Sequence, residues 1–235
     1  MPHSTIPFHT LPVQTSFFFV RHGQSVSNLE RRIQGHAESP LTDEGRRQAA
    51  GAGRFFAAHE IDRLFVSPLG RTVETAEIIA SESGIGELVV VPELIELDTG
   101  SYSGKAFHEL EPHDPAMFRR FQEESWEALP DAERISSLQQ RARAVWEMLL
   151  EHAKTGHRAT LCVTHGGMIQ WIVKSTFVPA GERWMPLFPA SNCGIYEYRV
   201  QSTLADPAND SPPQPGTGYF GEWRRINFIP YETES

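Results

Sequence analysis

The sequence predicts an α/β fold: a three-layer sandwich with a mostly parallel central sheet flanked by helices, and a small helical cap insertion. Three observations predict it. Short apolar β-type runs alternate four times with helical patterns, the sign of βα units feeding a parallel sheet. Just after the end of each of those runs come groups that carry chemistry: Arg21-His22, Ser67 with Arg71, Glu93 with Glu96, and His165-Gly166-Gly167. Open α/β sheets bind ligands beyond the carboxyl ends of their strands, so this placement suits one shared site. Finally, 235 residues, 40% hydrophobic and 22% charged, suffice for one substantial α/β domain or two small ones.

The elements follow in order. Residues 1–16 hold three prolines and little pattern, and read as a loose N-terminal arm; 17–235 reads as a single catalytic domain. Strand one is Phe17 to Val20. After a turn-rich stretch to Pro40, Thr42 caps a helix with Asp43 and Glu44 in its first turn, where the helix dipole favours acids. That helix runs to about His59, weakened by Gly45, Gly51 and Gly53. Ile61 to Val66 is the second strand. Ser67-Pro68 then looks like a cap and a first helical proline, opening a helix that ends near Gly84. Leu88 to Val91 is the third strand. Residues 99–132, with Pro112, Pro115 and Pro130, break the rhythm and predict the cap. Ser136 or Ser137 starts a long helix carrying Leu138, Ala142, Val145, Trp146, Leu149 and Leu150 at helical spacing. Gly156 ends it. Ala159 to Thr164 is the fourth strand, and a helix through Met168 to Phe177 follows His165-Gly166-Gly167. Cys193 to Val200 and Gly221 to Ile229 alternate like antiparallel strands, separated by a flexible loop over 204–218.

The totals exclude several classes. A net charge of −9 gives no reason to expect nucleic acid or an anionic membrane as partner. No run approaches the length of a membrane span, and the N-terminus lacks the pattern of a signal peptide; a cytoplasmic protein is expected. Cys162 and Cys193 lie in apolar contexts and read as buried thiols. His36, His59, His108, His113, His152 and His157 show no metal-ligand spacing. Trp126, Trp146 and Trp171 read as core, while Phe107, His108, His113 and Phe118 of the cap are candidates to face substrate. The last two strands leave an edge of the kind that often pairs, which points to a homodimer.

The candidate residues suit phosphoryl transfer. A neutral imidazole is a nucleophile, and neighbouring positive charge favours the neutral form. His22 can therefore attack phosphorus and split one hard displacement into two easier ones. Arg21, Arg71 and His165 can surround the non-bridging oxygens, and the glycine of Arg21-His22-Gly23 lets the backbone approach a ligand. Backbone N–H groups at Gly166 and Gly167 can face an anion. A carboxylic acid is needed to protonate the leaving alkoxide and then to activate water; Glu93 and Glu96 both qualify. Ser67 serves either as a helix cap or as a pocket hydroxyl, and Ser25 either contacts the phosphate loop or closes the turn.

Five blocks, in order, resemble the histidine phosphatase (phosphoglycerate mutase-like) superfamily over about residues 17–229: VRHGQSVSN from Val20, QGHAESPLTDEGRRQA from Gln34, SPLGRTVETA from Ser67, LIELDTGSYSG from Leu94 and VTHGGMI from Val163. The resemblance implies His22 as the phosphorylated nucleophile, with Arg21, Arg71 and His165 completing the phosphate pocket. It implies Asn28 as a phosphoryl contact, Gln34 and Gly35 as a substrate-contacting pair, and Glu96 as the proton donor. It implies no metal and no other cofactor, and a small phosphorylated substrate. Ser103 and Thr99 depart from the family pattern, which bears on the pocket wall and so on substrate choice. Gly70 replaces a common alanine before the arginine. A phosphomonoester hydrolase is the first expectation, because the cap is modest and its bases besides His are Lys105, Arg119 and Arg120. A phosphoglycerate mutase and a catalytically silent binding module are the alternatives.

Overall fold

The computed structural model describes residues 6–106, 108, 112, 114–129, 131–177, 187–202 and 219–230. Six strands form one sheet in the order β3-β2-β4-β1-β5-β6. They are β1 Thr15–Arg21, β2 Arg63–Val66, β3 Leu88–Val90, β4 Ala159–Thr164, β5 Ile195–Ser202 and β6 Tyr219–Phe228. The first four run parallel, whereas β5 is antiparallel to β1 and β6 antiparallel to β5. The helices are α1 Val26–Leu29, α2 Asp43–Phe56, α3 Gly70–Ser83, α4 Pro115–Glu124, α5 Ile135–Lys154 and α6 Gly166–Lys174.

Period-two alternation along β1 explains the three layers. Phe17 and Phe19 point into a core shared with Trp146 and Leu149 of α5 and Met168 and Trp171 of α6. Phe18 and Val20 point into the other core, with Ala52 and Phe56 of α2 and Ala76 and Ile79 of α3. A central strand buried on both faces reads as a continuous apolar run, as FFFV does. Cys162 and Cys193 are buried and free, one in each core. They lie on opposite faces of the sheet, and burial pushes both thiols up in pKa.

Several expectations need correction. Residues 6–14 are anchored rather than loose: Leu11 is buried, and the Phe8 ring lies 5.2 Å from Trp146 and 4.9 Å from Tyr198. Helix α3 starts at Gly70 after Leu69, which makes no side-chain cap, so Ser67-Pro68 is not its opening. The glycines of α2 serve close packing. A Cβ on Gly53 would sit 2.5 Å from the Glu82 side chain of α3, and one on Gly45 would sit 2.1 Å from the Gln24 carbonyl. In the cap, α4 is followed by a 3-10 turn over Ser125–Ala128. Phe118 lines a small apolar pocket there with Phe121 and Trp126, and His108 is exposed. Phe107, His113, Pro130 and the 204–218 loop lie outside the described residues.

Candidate active site

Strands β1 and β4 are neighbours, with Arg21 opposite Thr164. The residues that follow, His22 and His165, therefore leave the sheet side by side, their rings 5.2 Å apart. His22 is 1% exposed. Its Nδ1 lies 2.8 Å from the Gly23 carbonyl. A carbonyl only accepts, so Nδ1 carries the ring proton and Nε2 keeps its lone pair. Burial first, then the charges of Arg21 and Arg71, hold this imidazole well below its usual pKa. Gly23 has a different task from the one its sequence suggests. Its backbone packs against α2, where a Cβ would fall 2.4 Å from the Gly45 carbonyl, and its N–H donates to Thr75 Oγ1. It fixes the loop rather than admitting a ligand.

His165 is fully buried and shares a 2.7 Å hydrogen bond between Nε2 and Ser67 Oγ. Ser67 therefore holds the His165 ring rather than capping a helix. Among the described residues, His165 Nδ1 and Arg71 Nε are buried without a hydrogen-bond partner. Burial first, then His22, Arg71 and Arg21, depress the His165 pKa strongly. Arg71 is 1% exposed; its Nη1 and Nη2 donate to the Ala37 and Gly35 carbonyls, each at 2.9 Å. Arg21 Nη1 donates to the Ala190 carbonyl. Buried donors of this kind are rare unless something accepts from them, and a phosphoryl oxygen is such an acceptor.

Glu96 lines the cleft, whereas Glu93 is exposed and outside it. The Glu96 carboxylate accepts from the N–H groups of Leu97 at 2.9 Å, Gly167 at 3.3 Å and Met168 at 3.2 Å. The first-turn amides of α6 therefore hold this carboxylate. Of the two glycine amides expected to face an anion, Gly167 is already engaged.

Ser25 closes its turn: it caps α1, and its hydroxyl lies 3.1 Å from both Asn28 Oδ1 and Gln34 Oε1. Asn28 Oδ1 also accepts from the Ser25 N–H and from Asn192 Nδ2, so the Asn28 NH2 is the end left to meet an anion. Gly35 has φ +49, and a Cβ there would lie 2.3 Å from Thr99 Oγ1 and 2.5 Å from Ser103 Oγ. Thr99 and Ser103, the two departures from the family pattern, hydrogen-bond each other at 2.9 Å, and Thr99 lines this side of the pocket.

The cleft is roughly 320 Å³, lined by Arg21, Asn28, Gln34, Gly35, Glu96 and Gly166, and also by Arg31, Trp126 and Gln170. The last three were not singled out by sequence as cleft residues; Trp126 reads as core. Asn192 was also missed: its Nδ2 donates to the His22 carbonyl at 3.0 Å. It lies in a loop before an antiparallel strand, with no motif around it to draw attention. Among the described residues, no three His, Cys, Asp or Glu side chains are grouped to hold a metal ion.

Comparison with known proteins bears on the family and the fold of the chain. The sequence model of the Histidine phosphatase superfamily (branch 1) matches residues 17–205. A 2-carboxy-D-arabinitol-1-phosphatase from Triticum aestivum is 33% identical over 199 residues, which is 84% of this chain but only 37% of the wheat protein. A probable phosphoglycerate mutase GpmB from Yersinia enterocolitica is 36% identical over 191 residues, 79% of this chain and 85% of that protein. Among solved structures, the alpha-ribazole phosphatase from Shigella flexneri has a TM-score of 0.72 at 21% identity, covering 92% of this chain and 97% of its own. At that identity the likeness is one of fold.

Proposed function

Because this chain belongs to the histidine phosphatase superfamily, we propose that it is a metal-independent phosphomonoester hydrolase acting on a small phosphorylated metabolite through a phosphohistidine on His22. One observation carries the reading: a buried, neutral imidazole whose proton is tied to the Gly23 carbonyl, set between two arginines and a second histidine.

Nε2 of His22 attacks phosphorus, and the bond to the ester oxygen breaks. Arg21, Arg71, the Asn28 NH2 and His165 stabilise the charge on the non-bridging oxygens. With Ser67 donating to His165 Nε2, the ring proton of His165 lies on Nδ1, the nitrogen free to donate to the phosphoryl group. Glu96 gives its proton to the leaving alkoxide. It then takes one from the water that attacks the phosphohistidine, the P–N bond breaks, and phosphate leaves.

The mutase reading is favoured by the Yersinia relative. The silent-module reading lacks such support, because the sequence retains His22, Arg21, Arg71, His165 and Glu96. A cytoplasmic location is part of the proposal; among the described residues, no helix is long and apolar enough to cross a membrane. The edge strand β6, with Ile226 and Phe228 each 42% exposed, supports pairing of two copies.

Hydrolysis of an aryl phosphate in EDTA, from pH 5 to 8, tests the proposal. Phosphate release is expected without metal, and His22→Ala is expected to abolish it with the fold intact. Activity that disappears in EDTA and returns with one divalent metal would point to a metallophosphatase. Conversion between phosphoglycerate isomers without phosphate release would support the mutase.

A further inference from the structure

Arg141 has no role in the chemistry described above, yet three of its five guanidinium N–H groups go to the loop that carries Glu96. From the middle of α5, its Nε donates to Glu133 Oε1 at 2.8 Å and its Nη2 to Glu133 Oε2 at 2.6 Å. The second N–H of Nη2 reaches the Glu96 carbonyl at 3.4 Å. Nη1 donates to the Ile95 carbonyl at 2.6 Å and to the Glu93 carbonyl at 3.0 Å, and also touches Met168 Sδ. Five N–H donors in a rigid fork thus find two carboxylate oxygens and three carbonyls. The pair is largely sheltered, with side chains 17% and 12% exposed.

Glu133 extends the grip. Its carboxylate also accepts from Ser137 Oγ at 2.8 Å and from the Asp98 N–H at 3.4 Å, and its own N–H donates to the Asp98 carbonyl at 2.9 Å. Residues 93, 95, 96 and 98 are therefore fastened to one ion pair. That stretch needs it, since its only regular structure is a single 3-10 turn over Pro92–Leu94. The far end of Glu96 is fixed separately, its carboxylate lying on the amides of α6. Arg141 sets where the backbone of Glu96 sits relative to that helix.

We infer that Arg141, with Glu133, is the positioning element for the proton-donating carboxyl group of Glu96. This rests on the reading of Glu96 as the proton donor. A general acid must lie within hydrogen-bond reach of the leaving oxygen, and a misplacement of about 1 Å can cost on the order of 100-fold. The loss should depend on the leaving group. A nitrophenolate departs with little help from an acid, whereas an alkoxide needs the proton.

The experiment compares kcat/KM for p-nitrophenyl phosphate and for β-glycerophosphate in the wild type, Glu96→Gln, Arg141→Gln, Arg141→Lys and the double variant Arg141→Gln/Glu133→Gln. The constant kcat/KM reports the phosphorylation half-reaction, in which the acid acts. Arg141→Gln and the double variant should lose about 10- to 100-fold on the alkyl ester and less than about threefold on the aryl ester. Arg141→Lys keeps a charge beside Glu133 but has no fork for the carbonyls; it should fall between and is the variant to read if removal of the guanidinium unfolds the protein. Glu96→Gln should show the same selectivity, larger, at about 100- to 10,000-fold on the alkyl ester. If Glu96→Gln is selective while the Arg141 variants slow both esters equally or neither, the positioning role is overturned and the acid assignment stands. If Glu96→Gln itself slows both equally, the acid assignment falls and the inference falls with it.

Discussion

Two imidazoles buried side by side place a condition on the folded protein as well as on catalysis. His22 and His165 both have strongly depressed pKa values in the fold, with burial the leading cause. Below the unfolded value of about 6.5, the unfolded chain binds protons that the folded one refuses. Stability is therefore complete above about pH 6.5 and is lost as pH falls from there toward the folded values. Chemical denaturation from pH 7.5 down to pH 5 should show a falling midpoint. His165→Asn should flatten that slope, and an unchanged slope would mean that His165 is not buried neutral. Ser67→Ala should leave the ring nitrogen without its partner and cost about 1–3 kcal/mol, read as a lower denaturation midpoint together with slower turnover. Arg21, His22 and His165 stand out in the sequence because each follows an apolar strand run at once, and Arg71 because it opens the helix after another such run. Ser67 was legible only by half. A serine before a proline looks like a cap, and the competing attraction of a buried imidazole comes from β4, nearly a hundred residues away.

At the scale of elements, the loop after β1 is set by how closely α2 approaches it. Gly45→Ala would place a methyl group 2.1 Å from the Gln24 carbonyl. A backbone atom cannot swing aside, so overpacking of about 1–3 kcal/mol is expected. A thermal melt should show it, and turnover should fall because the displaced loop carries His22. Trp146 is the other anchor: fully buried, it contacts Phe17 and Phe19 edge-on and donates its N–H to the Ile172 carbonyl. Trp146→Ala should cost about 3–5 kcal/mol, and a smaller loss in denaturant titration would mean that the site relaxes. The strand β4 and the long helix α5 were legible nearly residue for residue, because apolar periodicity alone defines them. The purpose of the α2 glycines was not, since a local pattern shows them only as weak helix formers. Their value lies in contacts with β1's loop and α3.

For the whole molecule, the parallel sheet and the convergence of groups at its carboxyl edge were readable from the alternation of elements. The anchoring of residues 6–14 was not. A segment with proline and no period gives no sign that Phe8 and Leu11 fit against aromatic rings from α5 and β5. Deleting residues 1–11 should uncover that surface and cost about 2–4 kcal/mol, on the scale of one or two apolar side chains lost from burial, visible as a lower melting temperature with turnover retained at low temperature.

The place of β1 in the sheet has a consequence for how the protein is made. Its two neighbours are β4 and β5, so both sides of the strand that leads into His22 are closed by segments synthesised more than a hundred residues later. Contacts of such long sequence separation form late and slowly. While a ribosome is still translating the first 160 residues, β1 has no partner strand and His22 lies beside no second histidine. The two histidines meet only when the last parallel strand slides into the middle of the sheet.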